Sequence, residues 1–151
     1  MSITLGGNIN LERSKQMIYK EINFKIAPLL YNLEFEDNIT LVGGDSGTGK
    51  TFLYNMLEDL RLTEEFSAIH LYNYKTADRI EEITELRNSF IVMDNADILL
   101  TDALRHFINF EPTNQYMLFS RQCSGLFVSK KSFKHLVRRG FRITLDDDFT
   151  L

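Results

Sequence analysis

The chain has 151 residues, of which 44% are hydrophobic and 25% charged, and its formal net charge is −4. That length and composition predict one globular domain, residues 1–151, and the acidic balance argues against a generally basic nucleic-acid binder. The single cysteine excludes an internal disulfide, and the absence of a long apolar run or a signal-peptide pattern predicts a cytoplasmic protein without a membrane span.

The N-terminal third predicts short extended segments that lead into a buried strand and then a helix. Apolar residues alternate or pair over 18–26 and alternate again over 33–35. The short β-rich run 39–42 is stopped by glycines, which is typical of a buried strand. Over 51–62 the apolar spacing changes to that of an amphipathic helix.

The middle of the chain predicts three more apolar strands, over 68–72, 90–93 and 116–119. Helices are expected between them, one starting from a Thr76 cap and one over 98–107. Strands that are apolar throughout and alternate with helices predict an α/β fold whose mostly parallel sheet is flanked by helices.

The C-terminal tail predicts antiparallel strands, like those expected at the N-terminus. Residues 126–145 fit one or two hairpins around Arg139-Gly140, and a helix over 132–139 is the alternative. From Arg121 to Arg142 there are seven Lys or Arg residues and no acid. Such asymmetry indicates a site for phosphates, nucleic acid or an acidic partner, with a solvated hairpin face as the alternative.

A phosphate-binding motif lies between the first buried strand and the first helix. Residues 44–51 match G-x-x-x-x-G-K-[ST] at every position. In this pattern glycines let the backbone N–H groups wrap around phosphate, and the helix directs its positive end at the same point. Lys50 can bridge β- and γ-phosphates, and the Thr51 hydroxyl can ligate Mg²⁺. The predicted nucleotide-binding residues are Gly44, Asp45, Ser46, Gly47, Thr48, Gly49, Lys50, Thr51 and Phe52.

With a second motif the chain resembles the P-loop NTPase superfamily. Walker A lies over 44–51, and the apolar strand that ends in Asp94 is similar to Walker B, over 90–94. The resemblance covers about residues 30–125 and is to a stripped ABC- or AAA-type ATPase core. It implies a P-loop NTPase core, bound ATP, Mg²⁺ held by Thr51 and Asp94, and a Walker B strand beside the P-loop strand.

The residue after Asp94, the acid expected to hold Mg²⁺, departs from the pattern of the resembling ATPases. Many of them have a glutamate there, which polarises water, whereas this chain has Asn95, whose amide can orient water but cannot accept its proton. Asp97 is a candidate for the missing carboxylate, although we favour its being the cap of the next helix.

Two residues at the end of the 116–119 strand complete the candidate site. Ser120 occupies the kind of position that senses a γ-phosphate in the resembling ATPases. Arg121 can reach the γ-phosphate, act on a neighbouring subunit, or be an ordinary surface arginine. The candidate catalytic residues are Lys50, Asp94, Asn95, Asp97, Ser120 and Arg121.

Three functions fit the motifs. The first is a Mg²⁺-dependent ATPase or ATP-dependent switch in a larger assembly, whose site is completed by a protein partner or a second copy. The second is a non-hydrolysing, nucleotide-dependent adaptor or regulatory module. The third is a small-molecule or nucleotide kinase. A GTPase is disfavoured because no N-K-x-D motif occurs in the sequence.

Overall fold

The computed structural model describes residues 17–44, 49–120, 122 and 124–148. The strands in this part of the chain are β1 Glu21–Ile26, β2 Leu29–Glu34, β3 Ile39–Gly43, β4 Ile69–Tyr72, β5 Phe90–Met93, β6 Gln115–Phe119, β7 Phe133–Arg139 and β8 Arg142–Asp147. The helices are α1 Lys50–Leu60, α2 Ala96–Leu99 and α3 Asp102–Phe110, with 3₁₀ helices at Tyr74–Glu85 and Lys130–Ser132.

The strands form one sheet in the order β1-β2-β8-β7-β3-β6-β5-β4. The strands β3, β6, β5 and β4 run parallel to their neighbours, and β7 also pairs in parallel with β3. The pairs β1–β2 and β7–β8 are antiparallel hairpins, and a parallel β2–β8 pairing joins them. Half of the strands therefore belong to hairpins.

The prediction of a mostly parallel sheet flanked by helices is wrong. The sheet is mixed, has eight strands and curls into a half-barrel. The antiparallel strands are not additions at its two ends, because the C-terminal hairpin pairs directly with β3 and the N-terminal hairpin pairs with the C-terminal one. The apolar strands were located correctly from the sequence, but their neighbours are decided by contacts between distant segments.

Two helical predictions also need correction. The helix expected from a Thr76 cap is a 3₁₀ helix that begins at Tyr74, because Asn73 accepts the N–H of Lys75 and forms the cap. The helix expected over 98–107 is divided into α2 and α3, since Leu100 is extended and Thr101 caps α3 by accepting the N–H of Leu104 at 3.1 Å.

The helix α1 and the C-terminal hairpin are confirmed, and a helix over 132–139 is wrong. One apolar cluster packs α1 against both hairpins, and a second packs the long 3₁₀ helix, α2 and α3 against the central strands. Among the described residues we find no helix with the length and apolar character needed to cross a membrane.

Candidate functional site

The glycine-rich motif of residues 44–51 begins where β3 ends. Gly44 has a φ of 108°, and Gly49, directly before α1, has a φ of 94°. A Cβ at Gly49 would meet no atom within 4 Å, so the backbone conformation, rather than crowding, favours glycine. Gly49 carries no side chain that could cap the helix, which leaves the positive end of α1 directed at the loop. The intervening candidates Asp45, Ser46, Gly47 and Thr48 lie outside the described residues.

Lys50 connects the two ends of this loop. It is the first residue of α1, and its Nζ donates a hydrogen bond of 2.7 Å to the carbonyl oxygen of Gly44. The ammonium group is therefore directed back towards the end of β3. Thr51 is exposed, and Phe52 is 43% exposed, so both side chains are accessible at the start of α1.

Asp94 lies at the same edge of the sheet, at the carboxyl end of β5. The expectation that its strand is beside the P-loop strand is wrong, because β6 separates β5 from β3. Its backbone N–H donates to the carbonyl of Tyr72 at 2.9 Å, which continues the β4–β5 pairing by one residue.

The Asp94 carboxylate also acts on α1. Burial, and then the carboxylates of Glu58 and Asp94, raise the pKa of the Tyr54 phenol, while Arg79 opposes the rise. Asp94 is therefore one of two carboxylates whose charge affects a buried tyrosine of α1, the helix that begins directly after Gly49. Tyr54 itself is a buried core residue of α1.

The backbone conformation after Asp94 bears on two candidate residues, Asn95 and Asp97. Asn95 is exposed and has a φ of 52°, a left-handed conformation that asparagine adopts more readily than glutamate does. The backbone therefore gives a reason for the amide at this position. The favoured role of Asp97 as a cap is wrong, since Asn95 precedes α2 and Asp97 lies exposed inside its first turn.

Ser120 follows β6 and is only 6% exposed. Its Oγ donates to the carbonyl of Gln122 at 2.9 Å and accepts the Gln122 N–H at 3.1 Å. The hydroxyl thus stabilises the turn that follows the strand. Arg121, the other candidate at this strand end, lies outside the described residues.

Two basic side chains of the segment 121–142 form ion pairs with carboxylates of the fold. Lys134 is buried and contacts the carboxylates of Glu36 and Asp147, the latter at 2.6 Å. Arg139 pairs with Asp146 at 2.7 Å. These pairings account for the acidic run that follows the basic one, and they favour a hairpin surface over a continuous basic binding face.

The sheet places His135, which was not a candidate from the sequence, beside the strand that leads into the motif. Gly43 of β3 pairs with His135 of β7, so the imidazole-bearing strand is the direct neighbour of the strand that enters the motif. No local sequence pattern indicates His135, which is isolated in a basic tail 92 positions from Gly43, and only the register reveals the proximity.

No three His, Cys, Asp or Glu side chains in the described part of the chain are placed to hold a metal ion together. A magnesium ion held chiefly by phosphate and water requires only one or two protein oxygens, and the Thr51 hydroxyl and the Asp94 carboxylate are oxygens of the suitable kind.

Neither a scan against protein-family models nor a search of curated proteins finds a match for this chain.

Proposed function

We propose that the chain binds a nucleoside triphosphate, ATP with Mg²⁺, at residues 44–51 and acts as an ATPase or ATP-dependent switch. The observation that carries the proposal is the position of Lys50. Its Nζ lies across a strand–glycine–helix junction, on the carbonyl of Gly44, where the motif requires the ammonium group for phosphate.

The arrangement of the strands supports a ligand at this edge of the sheet. β3, β6 and β5 are parallel, so Gly44, Ser120 and Asp94 all follow the carboxyl ends of neighbouring strands. In open sheets containing parallel strands, ligands bind outside these carboxyl ends. The positive end of α1 and the Lys50 ammonium add the charge that a triphosphate requires.

The described residues support binding more strongly than turnover. When magnesium is bound it neutralises phosphate charge, and the Thr51 hydroxyl and Asp94 carboxylate are the groups that would hold it. Asn95 can hold a water molecule in place but cannot remove its proton, and Asp97 is on the exposed side of α2. We therefore expect slow hydrolysis by the isolated chain, accelerated by a partner that supplies a base or an arginine.

Calorimetric titration with ATP and Mg²⁺, combined with a phosphate-release assay, tests the proposal. Saturable ATP binding with slow phosphate release would support an ATPase. ATP binding without phosphate release under any condition would support an ATP-dependent switch. Phosphate transfer to a small acceptor would favour a kinase. Absence of saturable ATP binding would contradict the proposal.

Replacing Asp94 with asparagine is expected to weaken Mg²⁺-dependent ATP affinity by about tenfold, because the carboxylate that favours the ion is removed. The change Asp97→Asn, three residues later in the first turn of α2, is a matched control and should alter affinity less than twofold. Affinities measured with Mg²⁺ and with EDTA isolate the metal-dependent part. A larger effect of Asp97→Asn would make Asp97 the functional carboxylate.

A further inference from the structure

The β7–β8 hairpin continues past the end of β3, on the side away from Asp94. β7 pairs with β3 as far as His135, opposite Gly43, and then runs on through positions 136–139 while β3 ends. At about 3.3 Å per residue, this continuation carries the hairpin about 13 Å beyond β3. Because β7 is parallel to β3, the projection lies at the edge that carries the phosphate-binding motif. The hairpin therefore forms a wall beside that motif.

The wall is held in place by the N-terminal hairpin. The N–H of Leu30 donates to the carbonyl of Phe141, at the turn of the β7–β8 hairpin, at 2.7 Å. Next to it, the Arg142 guanidinium donates to the side-chain oxygen of Asn32. These contacts tie the tip to β2, so the wall is part of the sheet and not a free arm.

His135 lies at the base of this wall. Its Nδ1 is 3.8 Å from a carboxylate oxygen of Asp148, whose own N–H is fixed by the carbonyl of Phe133 at 2.9 Å. The imidazole is 39% exposed although its Nδ1 is buried, so the opposite ring edge is available to a ligand. Paired residues of neighbouring strands project from the same face, and Gly43 has no side chain to fill the space next to the ring.

The position of Asp94, the proposed ligand of Mg²⁺, indicates which half of the nucleotide lies beside His135. Asp94 follows β5, two strands from β3 in one direction, whereas His135 is on β7, the neighbour in the other direction. The metal-bearing end of the triphosphate belongs on the Asp94 side, which leaves the hairpin side for the opposite end. We infer, building on the proposed function, that the nucleoside half lies against the β7–β8 hairpin, with His135 contacting the sugar or base.

The test compares ATP with inorganic tripolyphosphate, which lacks a nucleoside. His135→Ala should weaken ATP binding about tenfold, the size of one lost ring or hydrogen-bond contact, and change tripolyphosphate affinity less than twofold. Lys131→Ala, which changes an exposed residue of the 3₁₀ helix before β7, is the matched control and should alter neither affinity. Equal losses for both ligands, or no loss for either, would overturn the inference.

Lys50→Ala separates failure of this inference from failure of the proposed function. It should weaken binding of both ligands, and unchanged binding of both would reject the phosphate site and the inference together. A second measurement needs no folded variant. The imidazole NMR signals of His135 in the wild-type protein should shift with ATP and stay in place with tripolyphosphate. Identical responses to the two ligands would overturn the inference.

Discussion

Replacing Lys50 with alanine is expected to weaken ATP binding by about 10- to 150-fold. The change removes an ammonium group that lies 2.7 Å from the Gly44 carbonyl at the mouth of the loop. Hydrogen bonds from charged donors contribute about 1.5–3 kcal/mol, and each 1.4 kcal/mol corresponds to about tenfold in affinity. Competition binding with a fluorescent nucleotide measures the loss.

The matched control for this change is Lys131→Ala, which removes one exposed positive charge from the same domain. It should leave ATP affinity within twofold, because exposed charges act weakly at a distance and are screened by salt. Equal affinities of the wild-type and Lys50→Ala proteins would show that this lysine does not hold phosphate.

Replacing Lys134 with alanine is expected to lower the free energy of unfolding by about 2–4 kcal/mol. The Lys134 side chain is 5% exposed and bridges two carboxylates, Glu36 and Asp147, that are 47% and 51% exposed. Removing one member of a buried ion pair costs about 3–5 kcal/mol, and the exposure of the two acids reduces this value. Urea unfolding measures the change, and Lys131→Ala should stay within about 0.5 kcal/mol of the wild type.

The contribution of Lys134 should depend on pH in one direction. Burial lowers the pKa of this lysine, but hydrogen bonds from the ammonium to Asp147 and Glu36 outweigh it, so the pKa is raised above 10.5. A raised pKa in the folded protein means that the stabilisation is complete below 10.5 and is lost as pH rises through the folded value. The stability difference between wild type and Lys134→Ala should therefore be constant near neutral pH and shrink above pH 10.5. A difference that grows in alkali would contradict this assignment.

The parts of the fold that the sequence predicts are those decided by neighbouring residues. The apolar run of β3, the glycines after it and the periodicity of α1 are all local signals, and the structure has each element within two residues of its expected bounds. The arrangement of strands is decided elsewhere. The pairing of Asn32 with Thr144 joins two segments that no local pattern connects, and it turns the expected terminal additions into part of one curled sheet.

The candidate site likewise has one part that is continuous in sequence and another that depends on the tertiary fold. The motif from Gly44 to Thr51 is continuous in sequence, so its chemistry can be predicted without a structure. The effect of Asp94 on the pKa of Tyr54 and the pairing of Gly43 with His135 depend on the tertiary fold, and no local sequence pattern indicates either. Asn95 is the instructive exception, because its departure from the expected glutamate was visible in sequence while its left-handed backbone was not.

A crystal structure with a non-hydrolysable ATP analogue and Mg²⁺ would show where the chain holds the phosphates. We predict that the β-phosphate lies at the start of α1, within residues 44–51, and that the Lys50 Nζ has moved from the Gly44 carbonyl to phosphate oxygens. An analogue bound elsewhere, with Lys50 still on Gly44, would contradict the account.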